Sequence, residues 1–462
     1  MSEVLLSELE FSGRIDSEYY KPSYLEYEKL ISNNNGKSLK ELSNFLIGPF
    51  GSAFTVDNYT DDQSYRYIRG KDVKPLKLAD ADNVYMPKSD YERLSKYSLK
   101  ENDILISVVG TIGNAALITK KDLPAIFSCK STVLRPSNIN PVYLLTYINT
   151  KYGRDLLTRK ERGAIQKGLN LGDLQELLIY TPSITFQSVI EKIFRDSLLK
   201  TETSKALYAQ AEEILLEEIG LKDFEPSSEA VNIKSFSESF KTSGRLDAEY
   251  YQKKYDDYIA LIKSYQNSFE ILQTACNPQI KNFKPDDEKE YKYIELSNIG
   301  KSGDVTGCTI NIGKELPSRA RRLVREDDVV ISSIEGSLDS CALITKDYDM
   351  ALCSTGFYVI NSDKINSETL LVLFKSEPMQ NILKQNCSGT ILTAINKDEF
   401  FNIPIPIIDL QKQQNIAQLI EQSFALKAKS ENSLEVAKRA VEIAIEQDED
   451  AALLYIEENS NI

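Results

Sequence analysis

The chain is 462 residues long, 42% hydrophobic and 27% charged, with a net charge of −14 and no histidine. At about 150 residues per domain this length accommodates roughly three units, and the composition is that of a soluble globular protein. The lack of histidine excludes Ser-His and Cys-His nucleophilic centres, HExxH zinc sites and histidine-dependent nucleases.

No stretch approaches the ~18 apolar residues of a membrane span. The acidic N-terminus, Met-Ser-Glu-Val-Leu-Leu-Ser-Glu-Leu-Glu, lacks the features of a signal peptide. The six cysteines (129, 276, 308, 341, 353 and 387) form no CxxC pair, which predicts free, buried thiols in a reducing cytoplasm. Negative charge is concentrated: residues 212–229 hold seven acids and one base, and residues 442–462 hold seven acids and no base. Elsewhere the chain is close to neutral, so its net charge does not exclude a nucleic-acid partner. The acidic segments are assigned to solvent or to a protein partner.

In chain order, the first expected element is a short docking helix with Asp16 as N-cap and Glu18 in its first turn. A globular domain follows over 36–182, with β-rich runs at 65–68, 103–109, 115–118 and 132–134 between Gly, Pro and Asn turns. A helical stretch at 142–158 and Pro182 complete it. A long helix over 187–220 ends at Gly220, and Pro226-Ser227-Ser228 reads as a linker. The order then recurs: a docking helix capped by Asp247, a globular domain over 267–406 with a helical stretch at 368–384, and a long helix over 411–447. An acidic tail, 448–462, ends the chain.

The recurrence is explicit in the residues. Ser12-Gly13-Arg14-Ile15-Asp16-Ser17-Glu18-Tyr19-Tyr20 returns as Ser243-Gly244-Arg245-Leu246-Asp247-Ala248-Glu249-Tyr250-Tyr251. Tyr65-Arg66-Tyr67-Ile68 returns as Tyr291-Lys292-Tyr293-Ile294, and Ala116-Leu117-Ile118-Thr119 as Ala342-Leu343-Ile344-Thr345. The period exceeds the roughly 20–50 residues of solenoid repeats. It predicts a duplicated, pseudo-two-fold protein of mixed α/β (α+β) class, with two globular domains of one fold, suited to a partner that also has two halves.

Steps of 4 and 3 along the first long helix give Ile190, Phe194, Ser197, Thr201, Ser204, Tyr208, Ala211 and Leu215. The same steps 226 residues later give Ile416, Ile420, Ser423, Lys427, Ser430, Leu434, Ala437 and Val441. This 3.5-residue spacing favours coiled-coil pairing. If the copies are related by a two-fold axis, the helices run antiparallel and their polar centres meet. Helices of ~33 residues are about 50 Å long and would act as a ruler between the domains.

Basic residues cluster at matching places. In the first domain Arg66, Arg69, Lys71, Lys74 and Lys77 follow the repeated strand, interleaved with Tyr65 and Tyr67. A second run, with Lys151, Arg154, Arg159, Lys160, Arg162 and Lys167, enters the loop 163–170, which contains Gln166 and Asn170. In the second domain the counterparts are Tyr291, Lys292, Glu295 and Asn298, the run Arg319, Arg321, Arg322 and Arg325, and the loop 388–396 with Thr390, Thr393 and Asn396. Glycines let backbone approach a phosphate, and Arg, Gln, Asn and Glu match base edges. Arg69 gives way to Glu295 within an unchanged apolar framework, as recognition of two unlike half-sites requires. Phosphate contacts are expected from Arg159, Lys160, Arg162, Arg319, Arg321 and Arg322. Base contacts are expected from Arg69, Lys71, Gln166, Asn170, Glu295, Asn298, Thr390 and Asn396.

Enzymatic signatures are missing. Pro285-Asp286-Asp287-Glu288-Lys289 crowds its carboxylates into one turn, Asn277-Pro278-Gln279-Ile280 only partly matches an amino-methyltransferase tetrapeptide, and there is no Gly-rich P-loop. The sequence thus argues against an enzyme and predicts no catalytic residue, metal site or cofactor in this chain.

Taken in order, the chain resembles the specificity subunit of type I restriction-modification enzymes. The resemblance rests on the Arg-(Ile/Leu)-Asp-x-Glu-Tyr-Tyr motif, the Gly48-Pro49-Phe50-Gly51-Ser52 turn, the strand at 67–73, the Asp-Ile-Leu-Ile-Ser strand at 103–107, and Pro182, Gln187, Ile190 with Pro406, Gln413, Ile416. It implies a non-catalytic DNA reader with two target-recognition domains separated by two long antiparallel helices. The implied division is 1–182, a first spacer helix at 183–222, 223–408, a second spacer helix at 409–447, and the tail. It further implies a bipartite double-stranded DNA site, two methyltransferase subunits that use S-adenosylmethionine to methylate adenine, and translocase-nuclease subunits, with ATP and Mg likewise in partner subunits. Ser52 joins the candidate contacts on this basis. The acidic tail departs from the pattern and suggests a role in assembly. Two other readings stay open: an acidic DNA mimic or anti-restriction protein, and the specificity subunit of a related type II methyltransferase-nuclease. A stand-alone nuclease is disfavoured.

Overall fold

The computed structural model describes residues 14–79, 81–163, 167–279, 281–389 and 393–459. The chain divides into two units, Met1–Leu199 with Lys429–Ile462, and Lys200–Ala428. Each unit joins one globular domain to a stretch of both long helices, which run over Ile184–Glu218 and Leu410–Glu446.

In the first unit, Ser43–Ile47, Ser131–Pro136, Ile104–Ser107 and Ala115–Leu117 form an antiparallel sheet in that order. Leu105 stands opposite Val133 and Ala116. Successive strand side chains point to opposite faces. Ile104 and Ile106 therefore enter one core with Leu134 and the helices, while Leu105 enters another with Ile68, Phe127 and Val133. Burial on both faces explains why Ile104–Ser107 lacks apolar/polar alternation. A smaller mixed sheet sets Arg66–Ile68 between Val84–Tyr85 and, in parallel, Ala125–Phe127.

The second unit repeats this plan. Val329–Ser332 lies between Cys341–Leu343 and Phe357–Asn361, with Val329 and Ile331 in one core and Val330 in another. Glu290–Ile294 pairs in parallel with Leu352–Ser354.

Within each unit the long helices pack antiparallel. In the first, Phe186, Ile190 and Phe194 share a core with Ala437, Val441 and Ile445, and the Ser197 and Ser430 hydroxyls lie 2.9 Å apart. In the second, Ala211 and Leu215 share a core with Ile416 and Ile420, and the hydroxyls of Ser204 and Ser423 lie 3.0 Å apart. The expected meeting of polar centres is thus realised in each unit. The helix starts are fastened alike: the Asn140 amide donates to Gln187 Oε1 at 3.0 Å, and the Asn366 amide to Gln413 Oε1 at 2.7 Å.

Several expectations need correction. The docking segments are turns rather than helices: Arg14 forks onto both Asp16 oxygens at 2.8 and 3.0 Å, and Tyr20 Oη donates to the Arg14 carbonyl at 3.0 Å. The true helices start later, at Pro22 and Lys253. The helix at 142–158 is two, Pro141–Ile148 and Lys151–Arg159, with Thr150 capping the second through the Gly153 amide. A Cβ on Gly153 would lie 2.3 Å from the Tyr147 carbonyl oxygen, so only glycine permits this junction. The stretch at 368–384 is likewise Ser367–Lys375 and Glu377–Gln385, the second starting around Pro378, which cannot continue a helix. The acidic tail contains the helix Glu449–Asn459, whose Ala452 and Ile456 are buried in the first unit. All six cysteines are free, but Cys129 is exposed and Cys308 half-buried.

Candidate nucleic-acid interface

After each repeated strand the chain makes the same single turn. In the first unit it is Gly70–Asp72, where the Arg69 amide donates to Asp72 Oδ2 at 2.8 Å. In the second it is Leu296–Asn298, where the Glu295 amide donates to Asn298 Oδ1 at 2.8 Å. The shared backbone presents unlike side chains. Arg69 is half-buried and forks onto Asp72 at 2.9 and 3.0 Å, a hydrogen-bonded partnership that raises its pKa. Lys71 is exposed and reaches Asp82 Oδ2 at 2.8 Å; that bond, with the charge of Arg69, lowers the Asp82 pKa. Glu295 is exposed, and Asn298 is half-buried.

In the first unit the neighbouring residues of the repeated strand face inward. Arg66 Nη1 pairs with the buried Asp122 at 2.8 Å and its Nη2 with Asn83 at 2.7 Å. Tyr67 is buried edge-on against Phe54, and burial pushes its hydroxyl up to about 12. Tyr65 packs on Tyr91 with ring centres 4.5 Å apart. Tyr291 Oη accepts from the Asp286 amide at 3.0 Å, while Lys292 is exposed and donates to the Asp347 carbonyl at 2.5 Å.

Each unit also carries a hairpin as a second candidate surface. Arg162 and Gly168 exchange backbone bonds at 2.8 and 2.9 Å, and Val109 bridges Gly168, fixing the stem of the first loop. Cys387–Ser388 pairs with Ala394–Ile395, and Ile334 bridges Ala394, fixing the other. Arg162 is exposed and forks onto Asp173 at 2.6 and 2.8 Å, and exposed Lys167 lies 3.4 Å from Glu161. Asn170 and Asn396 are exposed helix caps that accept from the amides of Asp173 and Glu399. Thr393 Oγ1 donates to Glu335. Gln166 and Thr390 lie outside the described residues.

Arg159 and Lys160 do not join that surface. Arg159 is buried: its Nη1 lies 2.5 Å from Glu28 Oε2 as an ion pair off hydrogen-bond geometry, its Nε donates to the Tyr19 carbonyl at 2.7 Å, and its guanidinium covers the Tyr19 ring at 4.1 Å. Lys160 is buried as well, and that burial lowers its pKa. Arg159 holds the Arg14–Tyr20 turn, its own carbonyl accepting from Arg14 Nη1 at 3.2 Å. In the second unit Arg319 and Arg321 are exposed on and beside the strand Ala320–Leu323, and Arg322 is half-buried. Ser52 is exposed next to Phe50, itself 86% exposed.

Lys130 was not singled out from the sequence. It is exposed, and its stem crosses Gly70, where an added Cβ would lie 3.0 Å from Lys130 Cβ. An isolated lysine in a strand connection escapes any search for charge runs. The acids of 286–288 are exposed, and among the described residues no group of three or more His, Cys, Asp or Glu could hold a metal ion. No helix among the described residues is long and apolar enough to cross a membrane.

The family described as Type I restriction modification DNA specificity domain matches the chain twice, over residues 31–213 and 269–436. The chain belongs to that family. It is a DNA-recognition subunit carrying two specificity domains, of a family that is non-catalytic. No curated protein matches it. Among solved structures, this specificity subunit is similar to the Type-I restriction-modification system S subunit from M. genitalium, with 14% identity, TM-score 0.42, and coverage of 91% of this chain and 95% of that one. It is also similar to the HsdS subunit from Thermoanaerobacter tengcongensis, with 15% identity, TM-score 0.28, and coverage of 89% and 96%.

Proposed function

We propose that each specificity domain reads one half of a bipartite double-stranded DNA site. The long helices set the unspecified spacer and dock two methyltransferase subunits that use S-adenosylmethionine on adenine. Translocase-nuclease subunits, with ATP and Mg, complete the assembly in the cytoplasm. The observation that carries this reading is the turn at Arg69–Asp72 and Glu295–Asn298, one backbone device bearing opposite charges. Arg suits guanine O6/N7 and Glu accepts from cytosine N4, so a common scaffold can address unlike sequences.

Base contacts are assigned to Arg69, Lys71, Glu295, Asn298 and the two hairpin loops. Phosphate contacts are assigned to Arg162, Lys167, Lys130, Arg319 and Arg321, whose side chains are exposed. Arg159 and Lys160 are left out because they are buried. Methylation mapping of DNA from cells carrying the chain with its methyltransferase subunit tests the proposal. One split adenine-methylated motif is expected, with one half changing when residues 36–182 are exchanged for those of another family member. A contiguous motif, or a motif indifferent to the exchange, would overturn it.

A further inference from the structure

The loop behind this turn is anchored in each unit. In the first, the loop tip carries Leu76, which is buried in the core and whose amide donates to the Ala115 carbonyl at 2.8 Å. In the second, the loop reaches the second long helix. Asp304 receives both its bonds there from Lys427 Nζ, at 2.7 and 2.6 Å, with the two side chains only 16% and 23% exposed. The positions 226 residues earlier hold Leu78 and Thr201.

The connection from Asp304 to the turn is short and fully bonded. Its carbonyl accepts from the Gly300 amide at 2.8 Å, and Ile299 bridges Val305. The Thr306 amide and hydroxyl then bond the Asn298 carbonyl at 2.8 and 3.0 Å, and Asn298 Oδ1 caps the Glu295 amide. The loop is built for this contact: a Cβ on Gly300 would sit 2.5 Å from Asp304 Oδ1, and Gly303 adopts φ +80°. We infer that Lys427 is a positioning residue for DNA reading by the second domain, holding the Glu295–Asn298 turn to the spacer helix through Asp304. This rests on the reading of function above.

The test uses the full chain with Lys427→Met, the milder Asp304→Asn, and the swapped double variant Asp304→Lys/Lys427→Asp. Hydrogen exchange on the free protein should show the Gly300 and Thr306 amides opening about tenfold faster in the single variants, as loss of a charged hydrogen bond allows, and returning towards wild type in the swap. With the methyltransferase subunit bound, discrimination should fall about tenfold at the half-site that follows residues 267–406 on domain exchange. The other half-site should be unchanged. Unaltered exchange in Lys427→Met, or equal loss at both half-sites, overturns the inference alone. A wild-type complex without a split site overturns the two-domain reading itself, before any variant is made.

Discussion

Ser204 and Ser423 donate their hydroxyls to each other's backbone carbonyls, both at 2.8 Å. Such reciprocity requires the helix backbones to approach closely, which only small side chains permit. Ser197 and Ser430 meet in the other unit, where Ser430 Oγ donates to the Ser197 carbonyl at 2.8 Å. Replacing Ser204 with Leu should overpack the contact and cost about 1–3 kcal/mol. Replacing Ser204 and Ser423 together with Ala should cost about 1 kcal/mol, because the carbonyls that lose these hydroxyls lie inside helices and keep their own amide donors. Urea unfolding followed by circular dichroism separates these outcomes.

Asp103 and Asp328 occupy equivalent buried places with different partners. Arg135 forks onto Asp103 at 2.8 and 2.7 Å, whereas Asp328 receives Asn361 Nδ2 at 2.7 Å; each also accepts a backbone amide at 2.8 Å, from Lys100 and Arg325 respectively. Burial raises the Asp328 pKa, partly offset by these hydrogen bonds. A folded pKa above the unfolded one means stability is lost as pH rises from about 4 through the folded value. Asn361→Arg restores the pairing of the first unit and lowers that pKa. The variant should therefore match the parent near pH 3 and exceed it by about 1 kcal/mol near pH 7, as thermal melts across that range would show.

Arg159 and Arg162 stand three residues apart with opposite fates. Arg159→Met leaves Glu28 without its partner and should destabilise the first unit by about 3 kcal/mol. Arg162→Ala removes an exposed guanidinium from the buried Asp173 and should cost about 1–3 kcal/mol while flattening the salt dependence of DNA binding. A slope change for Arg159→Met at temperatures where it stays folded would contradict its placement.

Glu295 and the pair Arg319/Arg321 should separate specificity from affinity. Glu295→Gln should alter preference at one position by about 1–3 kcal/mol with an unchanged salt slope. Arg319→Ala/Arg321→Ala should weaken all duplexes alike and reduce the slope by roughly 0.9 for each phosphate no longer neutralised. Competition binding at several salt concentrations checks both.

The terminal acidic segment should behave as structure. Ile456 is 7% exposed in the core of the first unit, so Ile456→Ala should cost about 2–4 kcal/mol. Glu457→Gln, on an exposed position of the same helix, should be neutral in the same melt.

The duplication, the β-rich runs and the helix register were legible in the chain because each depends on local order. Alternation decides which face a strand residue enters, and a 3.5-residue period decides which helix residues meet, so Ser197, Ser204, Ser423 and Ser430 could be matched before any coordinates. Charge was not legible in this way. Arg66 and Arg159 look alike in a basic run, yet their neutralising partners Asp122 and Glu28 come from elsewhere in the first unit. Whether a guanidinium is spent inside or offered to solvent is fixed by contacts distant in sequence. The same reason hid Asp304 and Lys427, which become a pair only once a loop folds back on a helix 123 residues further along.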